Sequence, residues 1–282
     1  MNRISACFAE LRRRKKPGFI AYLTCGDPSM QVTADAVKVL ADAGADLVEL
    51  GVPFSDPIAD GPVIQRASSR ALAAGASLSR IVDMVVALRG GGLKIPIVLF
   101  GYYNPVLRFG PERLAREAAA AGVDGLLLAD LIPEEEEDLA AICREVNLDR
   151  IQMVAPTTPD ARIKKIAGLT GGFLYAVSLT GVTGEREHLP AGVEGFAKRI
   201  RAQTDKPVAL GFGISSPETA AAAARLADAV VVGSAIVRCL EENAANQDLL
   251  RRLGNFVREL VDAVKERSPG SGDSSRILPA VR

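Results

Sequence analysis

The chain has 282 residues, which is longer than the usual single domain but within the range of one α/β barrel. Its 34 basic and 34 acidic residues give a formal net charge of zero, which argues against a strongly basic nucleic-acid-binding protein and against a polyacidic tail protein. Hydrophobic residues make up 48% and charged residues 24% of the chain, so the composition is that of a folded globular protein rather than a disordered one.

The cysteines and the single histidine bear on compartment and metal binding. Cys7, Cys25, Cys143 and Cys239 lie far apart and form no C-x-x-C motif, so we expect free thiols in a reducing compartment. His188 alone leaves too few nitrogen ligands for most catalytic zinc sites. No apolar run reaches the roughly 18 residues that a membrane span needs. These features predict a cytoplasmic protein with no metal site and no membrane partner.

Eight short β-rich runs alternate with helical patterns along the chain. Most of them are apolar throughout, as expected of parallel strands that are covered on both faces. Strand–helix alternation implies a parallel sheet with right-handed crossovers, and eight units favour closure into an α/β (β/α)8 TIM barrel, because closure removes both sheet edges. The predicted strands span residues 19–26, 46–52, 96–103, 125–130, 150–156, 173–178, 207–213 and 229–235.

A doubly wound open sheet is the alternative fold, but no G-x-G-x-x-G motif follows the first predicted strand. We expect residues 1–16 to form an extra helix that plugs the bottom of the barrel. The glutamate run 134–137 is predicted to be a solvated first helical turn. The predicted barrel domain covers residues 1–267, and residues 268–282 are predicted to form a flexible tail.

Two carboxyl groups stand at and after the end of the second predicted strand. Glu49 interrupts an apolar run, where burial is costly unless the carboxyl is protonated or partnered. Asp60 lies in the loop 51–61, which its prolines and glycines stiffen. Chemistry in this fold belongs to the C-terminal ends of the strands, and two carboxyls in different environments suit acid–base catalysis. The alternative for Glu49 is a surface edge or a structural ion pair.

The exits of the last three predicted strands indicate an anion site. Glycines occur in the segments 178–184, 211–215 and 233–235, where they let backbone N–H groups approach a phosphate. TIM barrels often place a phosphate after strands seven and eight. The alternative is that these glycines serve only tight turns.

The distribution of lysine and histidine argues against two other reaction types. No lysine lies inside a predicted strand, since Lys94 and Lys206 precede strands three and seven. This disfavours a Schiff-base aldolase, which needs a desolvated lysine in the barrel. His188 falls in the long loop after strand six, so we expect a solvent-facing loop residue rather than an electrophile for enediol chemistry.

The stretch 49–65, ELGVPFSDPIADGPVIQ, resembles the signature of the tryptophan synthase alpha chain family. Further motifs of that family occur in the same order and together span nearly the whole chain. They are GDP at 26–28, GYYNP at 101–105, ADL at 129–131, APTT at 155–158, TGVTG at 180–184 and GFGIS at 211–215.

The resemblance implies a lyase of tryptophan biosynthesis that splits indole-3-glycerol phosphate into indole and glyceraldehyde 3-phosphate, a retro-aldol cleavage. It assigns Glu49 as the acid–base group at indole C3 and the glyceryl hydroxyl, and Asp60 as the group that accepts charge at the indole N–H. The implied substrate contacts are Tyr22, Ile64, Phe100, Tyr102, Leu127, Tyr175 and Thr183, although Phe100 and Leu127 also suit an ordinary barrel core. The implied phosphate contacts are Gly184, Phe212, Gly213, Gly233 and Ser234.

The resemblance also implies a partner and a mobile lid. The partner is a beta chain that carries pyridoxal phosphate and consumes the indole, in an alpha2-beta2 heterotetramer, while this chain needs no cofactor. The expected contact rim is the loop 53–60 with the corners 104–105 and 132–133. The loop 180–192 is a candidate lid.

Two other classes of function fit part of the sequence. A phosphate-binding barrel isomerase of aromatic or histidine biosynthesis shares the glycine-rich exits, but it does not explain the loop with two carboxyls. A non-catalytic activating subunit has no need to keep both Glu49 and Asp60.

Overall fold

The structure is a computed structural model that describes residues 2–177, 189, 192–211 and 213–266. Eight parallel strands close on themselves in the order in which they occur along the chain, and the first pairs with the last. The predicted barrel is therefore confirmed, and the open sheet is wrong. The strands are β1 (Gly18–Thr24), β2 (Leu47–Gly51), β3 (Ile97–Gly101), β4 (Gly125–Leu128), β5 (Asp149–Val154), β6 (Leu174–Val177), β7 (Val208–Gly211) and β8 (Ala229–Val232).

Helices follow the strands and form the outer layer of the barrel. Some strand–strand connections contain two helices rather than one. Within the described residues the helices are α1 (Arg3–Arg14), α2 (Met30–Asp42), α3 (Pro62–Ala73), α4 (Leu78–Gly90), α5 (Tyr103–Phe109), α6 (Pro111–Ala121), α7 (Glu137–Glu145), α8 (Asp160–Leu169), α9 (Val193–Gln203), α10 (Pro217–Ala224), α11 (Ser234–Asn243) and α12 (Leu249–Lys265).

The helix α1 closes the N-terminal end of the barrel, as predicted for residues 1–16. Its apolar face carries Ile4, Phe8 and Leu11, which pack into the cluster of side chains that fills the barrel interior. The ring of Phe8 lies 5.4 Å from that of Phe173, measured between centroids. Because this end is plugged, the opposite end is the open one.

Several predicted strands extend too far at their C-terminal ends. The third was predicted to reach residue 103, but β3 ends at Gly101 and Tyr103 begins α5. The last was predicted to reach residue 235, but Ser234 already begins α11. The cause is burial at the barrel mouth: Tyr102 is buried although it follows the last residue of its strand, so an apolar run outlasts the hydrogen-bonded ladder.

The glutamate run 134–137 is not a solvated turn throughout, so that prediction is wrong. The segment Pro133–Glu135 forms a short 3-10 turn, and the next residue, Glu136, is buried. Its carboxylate accepts hydrogen bonds from Arg150 Nε, at 2.9 Å, and from Gln152 Nε2. Both partners come from β5, so the buried carboxylate fixes the start of α7 against that strand.

No single helix in the described part of the chain is long and apolar enough to cross a bilayer. The helices α3 and α4 pass a test of length and composition only as a pair, and they are bent by 92° relative to each other. Most of their apolar side chains are buried inside the protein, among them Ile64 and Ala67 of α3 and Ile81 and Val85 of α4, whereas Leu72 and Val86 are exposed. The predicted tail, residues 268–282, lies outside the described residues.

Candidate active site

Aromatic and carboxyl side chains from neighbouring strands meet inside the open end of the barrel. Tyr22 of β1 pairs in register with Glu49 of β2, and Phe100 of β3 pairs with Leu127 of β4. Tyr175 of β6 belongs to the same interior cluster as Leu127 and Phe100. The strand register therefore brings five of the predicted site residues to one wall.

Glu49 is a fully buried carboxyl on the same strand face as Leu47, which lies in the interior cluster. Neither of its carboxyl oxygens has a hydrogen-bond partner among the described residues. The alternative prediction that Glu49 lies on an exposed sheet edge is therefore wrong. Among the described residues, Glu49 forms no ion pair. Burial raises its pKa from 4.5 to about 8, because desolvation disfavours the charged form. At neutral pH the group is mainly protonated.

Asp60 lies in the loop between β2 and α3, and Tyr102 anchors that loop. The backbone N–H of Ala59 donates a hydrogen bond to the Tyr102 hydroxyl at 3.0 Å. Burial raises the pKa of Asp60 from 3.8 to about 6, and hydrogen bonding with Tyr102 acts in the opposite direction. Asp60 is therefore mainly ionised at pH 7.

Both carboxyls lie close enough to the same tyrosine, Tyr175, to affect its pKa. The pKa of Tyr175 is raised first by its burial and then by neighbouring acidic groups, among them Glu49 and Asp60. The pKa of Tyr22 is raised by burial and next by the charge of Asp60. Since Tyr175 and Tyr22 stand on either side of Phe100, the two acids border one pocket rather than two.

The pocket wall consists of edge-on aromatic contacts. The ring of Phe100 lies 5.6 Å from that of Tyr22 and 5.9 Å from that of Tyr175, with interplanar angles of 79° and 73°. Ile64, from the first turn of α3, packs in a cluster with Tyr22 and Phe100. Leu127 is fully buried beneath them. Five of the predicted substrate-binding residues therefore form one continuous wall: Tyr22, Ile64, Phe100, Leu127 and Tyr175.

Two strand-end glycines, which the sequence analysis did not assign to the pocket, make room for the tyrosines. A Cβ atom on Gly51 would lie 2.2 Å from the Tyr22 hydroxyl oxygen, and one on Gly211 would lie 2.5 Å from the Tyr175 hydroxyl oxygen. Any side chain at either position would displace a tyrosine. The alternation of side chains along β2 and β7 points both positions inward, and this was the signal in the sequence.

Thr24 is a further residue that the sequence analysis missed. It ends β1 on the same strand face as Tyr22 and is buried. Its hydroxyl makes no hydrogen bond of normal geometry with the described residues, although it lies close enough to the Tyr22 hydroxyl to act on the pKa of that tyrosine in the lowering direction. Buried polar groups nearly always have a partner. Within the described residues, only Thr24 and Glu49 carry fully buried side-chain polar atoms without one.

The predicted phosphate contacts are described only in part. Gly233 precedes the first residue of α11, Ser234, which is largely buried. Gly233 lies against the Tyr22 ring, because a Cβ atom there would be 3.3 Å from Tyr22 Cδ1. Gly213 has a φ of +66°, a conformation that favours glycine. Three other predicted contacts, and the loop histidine, lie outside the described residues: Thr183, Gly184, Phe212 and His188.

The N-terminus of α11 thus opens onto the aromatic pocket. The first N–H groups of a helix have no partner within the helix, and together with the helix dipole they favour an anion. In the described part of the chain, no three His, Cys, Asp or Glu side chains are grouped to hold a metal ion. The arrangement is a pocket with acids at one side and the N-terminus of α11 at the other.

Comparison with known proteins gives the family to which this pocket belongs. The family model described as tryptophan synthase alpha chain matches residues 8–265. The chain belongs to the tryptophan synthase alpha chain family.

Relatives in the tryptophan synthase alpha chain family are similar over their whole length. The tryptophan synthase alpha chain of Geobacter sulfurreducens is 48% identical over 264 residues, covering 94% of this chain and 99% of the relative. That of Solibacter usitatus is 49% identical over 260 residues, covering 92% and 97%.

Solved structures agree with this result. A tryptophan synthase structure from Mycobacterium tuberculosis has a TM-score of 0.86 at 38% identity, with 94% of this chain and 98% of that chain covered. A tryptophan synthase subunit alpha structure from Legionella pneumophila has a TM-score of 0.87 at 36% identity, with the same coverage. Membership of the tryptophan synthase alpha chain family confirms the predicted lyase, which acts on indole-3-glycerol phosphate in tryptophan biosynthesis. It decides against the isomerase and the non-catalytic subunit.

Proposed function

We propose that Glu49 and Asp60 are the acid–base pair that cleaves indole-3-glycerol phosphate into indole and glyceraldehyde 3-phosphate. The observation that carries this proposal is the pair itself, two carboxyls that border one aromatic pocket and have pKa values near 8 and 6. The reaction breaks a carbon–carbon bond between indole C3 and the glyceryl chain. It requires a proton delivered to C3 and a proton removed from the glyceryl hydroxyl. The ring nitrogen gives up its proton as the C3-protonated ring forms and regains that proton when the bond breaks and indole leaves.

Glu49 suits the delivery of the proton to C3. A protonated carboxyl without a partner has a proton to donate, and burial keeps it protonated at neutral pH. Protonation at C3, with loss of the N–H proton, turns the ring into an indolenine that still carries the glyceryl chain; the electron pair of the breaking bond then returns to the ring, and indole is the leaving fragment. The Glu49 carboxylate then accepts the proton of the glyceryl hydroxyl as the aldehyde forms and the bond breaks, so the group returns to its starting state.

Asp60 suits the ring nitrogen. Its lower pKa leaves it ionised at pH 7, so it accepts the N–H proton or stabilises the positive charge that develops there. The hydrogen bonds of Tyr102 with Asp60 and with Ala59 N–H keep the carboxylate at the pocket mouth. The two acids therefore serve different atoms because burial shifts their pKa values to different extents.

The remaining site residues bind the two ends of the substrate. Tyr22, Phe100 and Tyr175 present ring edges and faces that fit a flat indole. Ile64 and Leu127 complete the apolar wall, and the Thr24 hydroxyl is an added candidate contact for a substrate hydroxyl. The proposed place for the phosphate is the N-terminus of α11, with Gly213, Gly233, Ser234, Phe212 and Gly184 as its contacts, while Thr183 is a proposed contact of the rest of the substrate; Phe212, Gly184 and Thr183 lie outside the described residues.

A beta chain is the proposed partner, and the rim of the open end supports it. Three apolar side chains at successive strand exits are exposed: Ile58, at 84%, Leu107 and Ile132. Monomeric proteins seldom expose grouped apolar side chains without a partner. Ile58 and Ile132 lie in or beside the predicted contact loops. The proposed assembly is an alpha2-beta2 heterotetramer in the cytoplasm, with pyridoxal phosphate on the beta chain and no cofactor on this one.

An indole assay on the purified chain, with and without a beta chain, tests the proposal. We expect indole and glyceraldehyde 3-phosphate in equal amounts, and faster release when the beta chain is present without serine. Treatment with a metal chelator is the control for adventitious metal. Absence of indole in both arms, with substrate bound, would overturn the proposed reaction.

A further inference from the structure

An ion-pair cluster joins three elements around the open end of the barrel. Arg70 of α3 donates two hydrogen bonds to Asp27, from Nε to Oδ1 at 2.8 Å and from Nη2 to Oδ2 at 2.7 Å. Its third nitrogen, Nη1, donates to Oε1 of Glu241 in α11 at 2.7 Å. Arg66, one turn earlier in α3, donates two hydrogen bonds to Glu241, both at 2.8 Å. One guanidinium thus connects the β1–α2 loop, α3 and α11.

Apolar packing beneath the cluster follows the same connection. Val63 and Ala67 of α3 pack with Val237 of α11 and with Tyr22 of the pocket. Along α11, positions 234, 237 and 241 are three and four residues apart, so they share one helix face. On that face, Ser234 lies at the proposed phosphate site, Val237 packs against α3, and Glu241 forms the ion pair with Arg70.

The β1–α2 loop is held tightly against α3. A Cβ atom on Gly26 would lie 2.5 Å from the Ala76 Cβ and 3.3 Å from the Ala71 Cβ. Asp27 itself is only 3% exposed. Loss of its partner would leave a buried carboxylate unpaired, which is costly. The cluster therefore restrains the three elements far more firmly than an exposed ion pair does.

We propose that Arg70 is a positioning residue for the cleavage, because it sets the separation between the phosphate-binding end of α11 and the Asp60 loop that precedes α3. The inference rests on the proposed function. The substrate is one molecule with a phosphate at one end and an indole at the other, so both ends bind well only when the two helices keep a fixed spacing. Arg70 touches neither end; it acts through α3 and α11.

Binding of two substrate analogues distinguishes a positioning role of Arg70 from a merely structural one. Glycerol 3-phosphate probes the phosphate end alone, whereas an indolylpropyl phosphate, which has no glyceryl hydroxyls and cannot be cleaved, probes both ends at once. In Arg70→Met we expect the affinity for the indolylpropyl phosphate and the kcat/KM for substrate to fall at least ten-fold. The affinity for glycerol 3-phosphate should change less than three-fold.

Arg199→Met is the matched control. Arg199 has a similar side-chain exposure, 39% against 37% for Arg70, and it also bridges two elements, through Asp160 at 2.7 Å and the carbonyl of Pro156 at 2.9 Å. It does not connect α3 with α11, so all three quantities should stay within two-fold. Arg70→Lys keeps the charge but not the planar set of donors. Its affinity for the indolylpropyl phosphate and its kcat/KM should lie between those of the parent and those of Arg70→Met.

Glu241→Gln provides a milder variant should Arg70→Met not fold, since it keeps the side-chain size and the Asp27–Arg70 pair. It should show the same pattern with a smaller loss. The inference is overturned if the affinities for both ligands fall in parallel, or if neither changes. If either of these results were found while Glu49→Gln was inactive, only the role of Arg70 would be wrong. If Glu49→Gln were active, the proposed function itself would be wrong.

Discussion

Tyr22 and Glu49 lie opposite one another on the adjacent strands β1 and β2, and both side chains point into the barrel. The tyrosine is part of an aromatic wall, so the carboxyl beside it has left water without gaining a described partner. The same burial that forms the aromatic pocket therefore keeps Glu49 protonated. In the proposed mechanism, substrate binding and proton delivery thus share one physical origin.

Glu49→Gln is expected to abolish indole formation while substrate still binds. The amide has nearly the same shape but no proton of suitable acidity, so the loss should appear in kcat, by at least a thousand-fold, and not in the dissociation constant. Single-turnover kinetics with an equilibrium binding measurement would show this. Turnover at the parent rate would remove Glu49 from the mechanism.

The same variant is expected to be more stable than the parent at high pH. The pKa of Glu49 is about 8 in the folded chain against 4.5 ordinarily, so the folded state holds a proton that the unfolded state releases between these pH values. The parent therefore loses stability as pH rises from about 4.5 to about 8. One pKa unit corresponds to about 1.4 kcal/mol, and the two states differ in bound protons over most of this interval, so we expect a relative gain on the order of 3 kcal/mol for Glu49→Gln between pH 5 and pH 8. Urea unfolding at both pH values measures it.

Asp60→Asn should be nearly as damaging as Glu49→Gln, since the amide cannot accept the N–H proton. A subtler test is Tyr102→Phe, which removes the hydroxyl that lowers the pKa of Asp60. The pKa should then rise above about 6, and the acidic limb of the kcat/KM profile should move to higher pH. Tyr103→Phe is the matched control and should leave the profile in place. If the acidic limb of the kcat/KM profile did not move in Tyr102→Phe, titration of Asp60 would not be its cause.

The barrel and the acid pair could be predicted from the sequence because each depends on local pattern. Eight apolar runs separated by helical segments favour a closed parallel sheet, and an acid inside one of those runs is conspicuous. Glu49 stands out since its neighbours, such as Leu47 and Val48, are apolar. The polar alternation of a half-exposed strand would have hidden Glu49.

Features that depend on contacts between distant segments could not be predicted in this way. Burial of Glu136 requires Arg150 and Gln152 of β5 to face α7, and four consecutive acids look solvated until that pairing is known. Likewise, Gly51 and Gly211 are ordinary strand-end glycines until the tyrosine opposite each is placed. The predicted strands run too far at their C-terminal ends for the same reason. Residues beyond the last hydrogen-bonded pair, such as Tyr102, are buried only because the barrel is closed.

Ser234→Asp is expected to weaken substrate binding at least ten-fold, because a carboxylate at the first position of α11 repels the phosphate. The effect should shrink as ionic strength rises. Ser77→Asp adds the same charge at the N-cap of α4, which is exposed and not part of the site, and should leave affinity within two-fold. Inhibition by glycerol 3-phosphate measures the change. Equal affinity in Ser234→Asp and the parent would place the phosphate elsewhere.

Arg150→Met tests the buried ion pair outside the barrel. Arg150 and Glu136 are both buried, and removal of the guanidinium leaves a carboxylate inside the protein with Gln152 as its remaining partner. Breaking such a pair costs about 3–5 kcal/mol, so we expect a loss of that size in the free energy of unfolding. The double variant Glu136→Gln with Arg150→Met should recover part of it, because no charge is then buried. The exposed pair Arg113–Glu117, at 2.7 Å, supplies the control: Arg113→Met should cost less than about 1 kcal/mol. Equal costs for the two single variants would mean that burial does not strengthen the Arg150 pair.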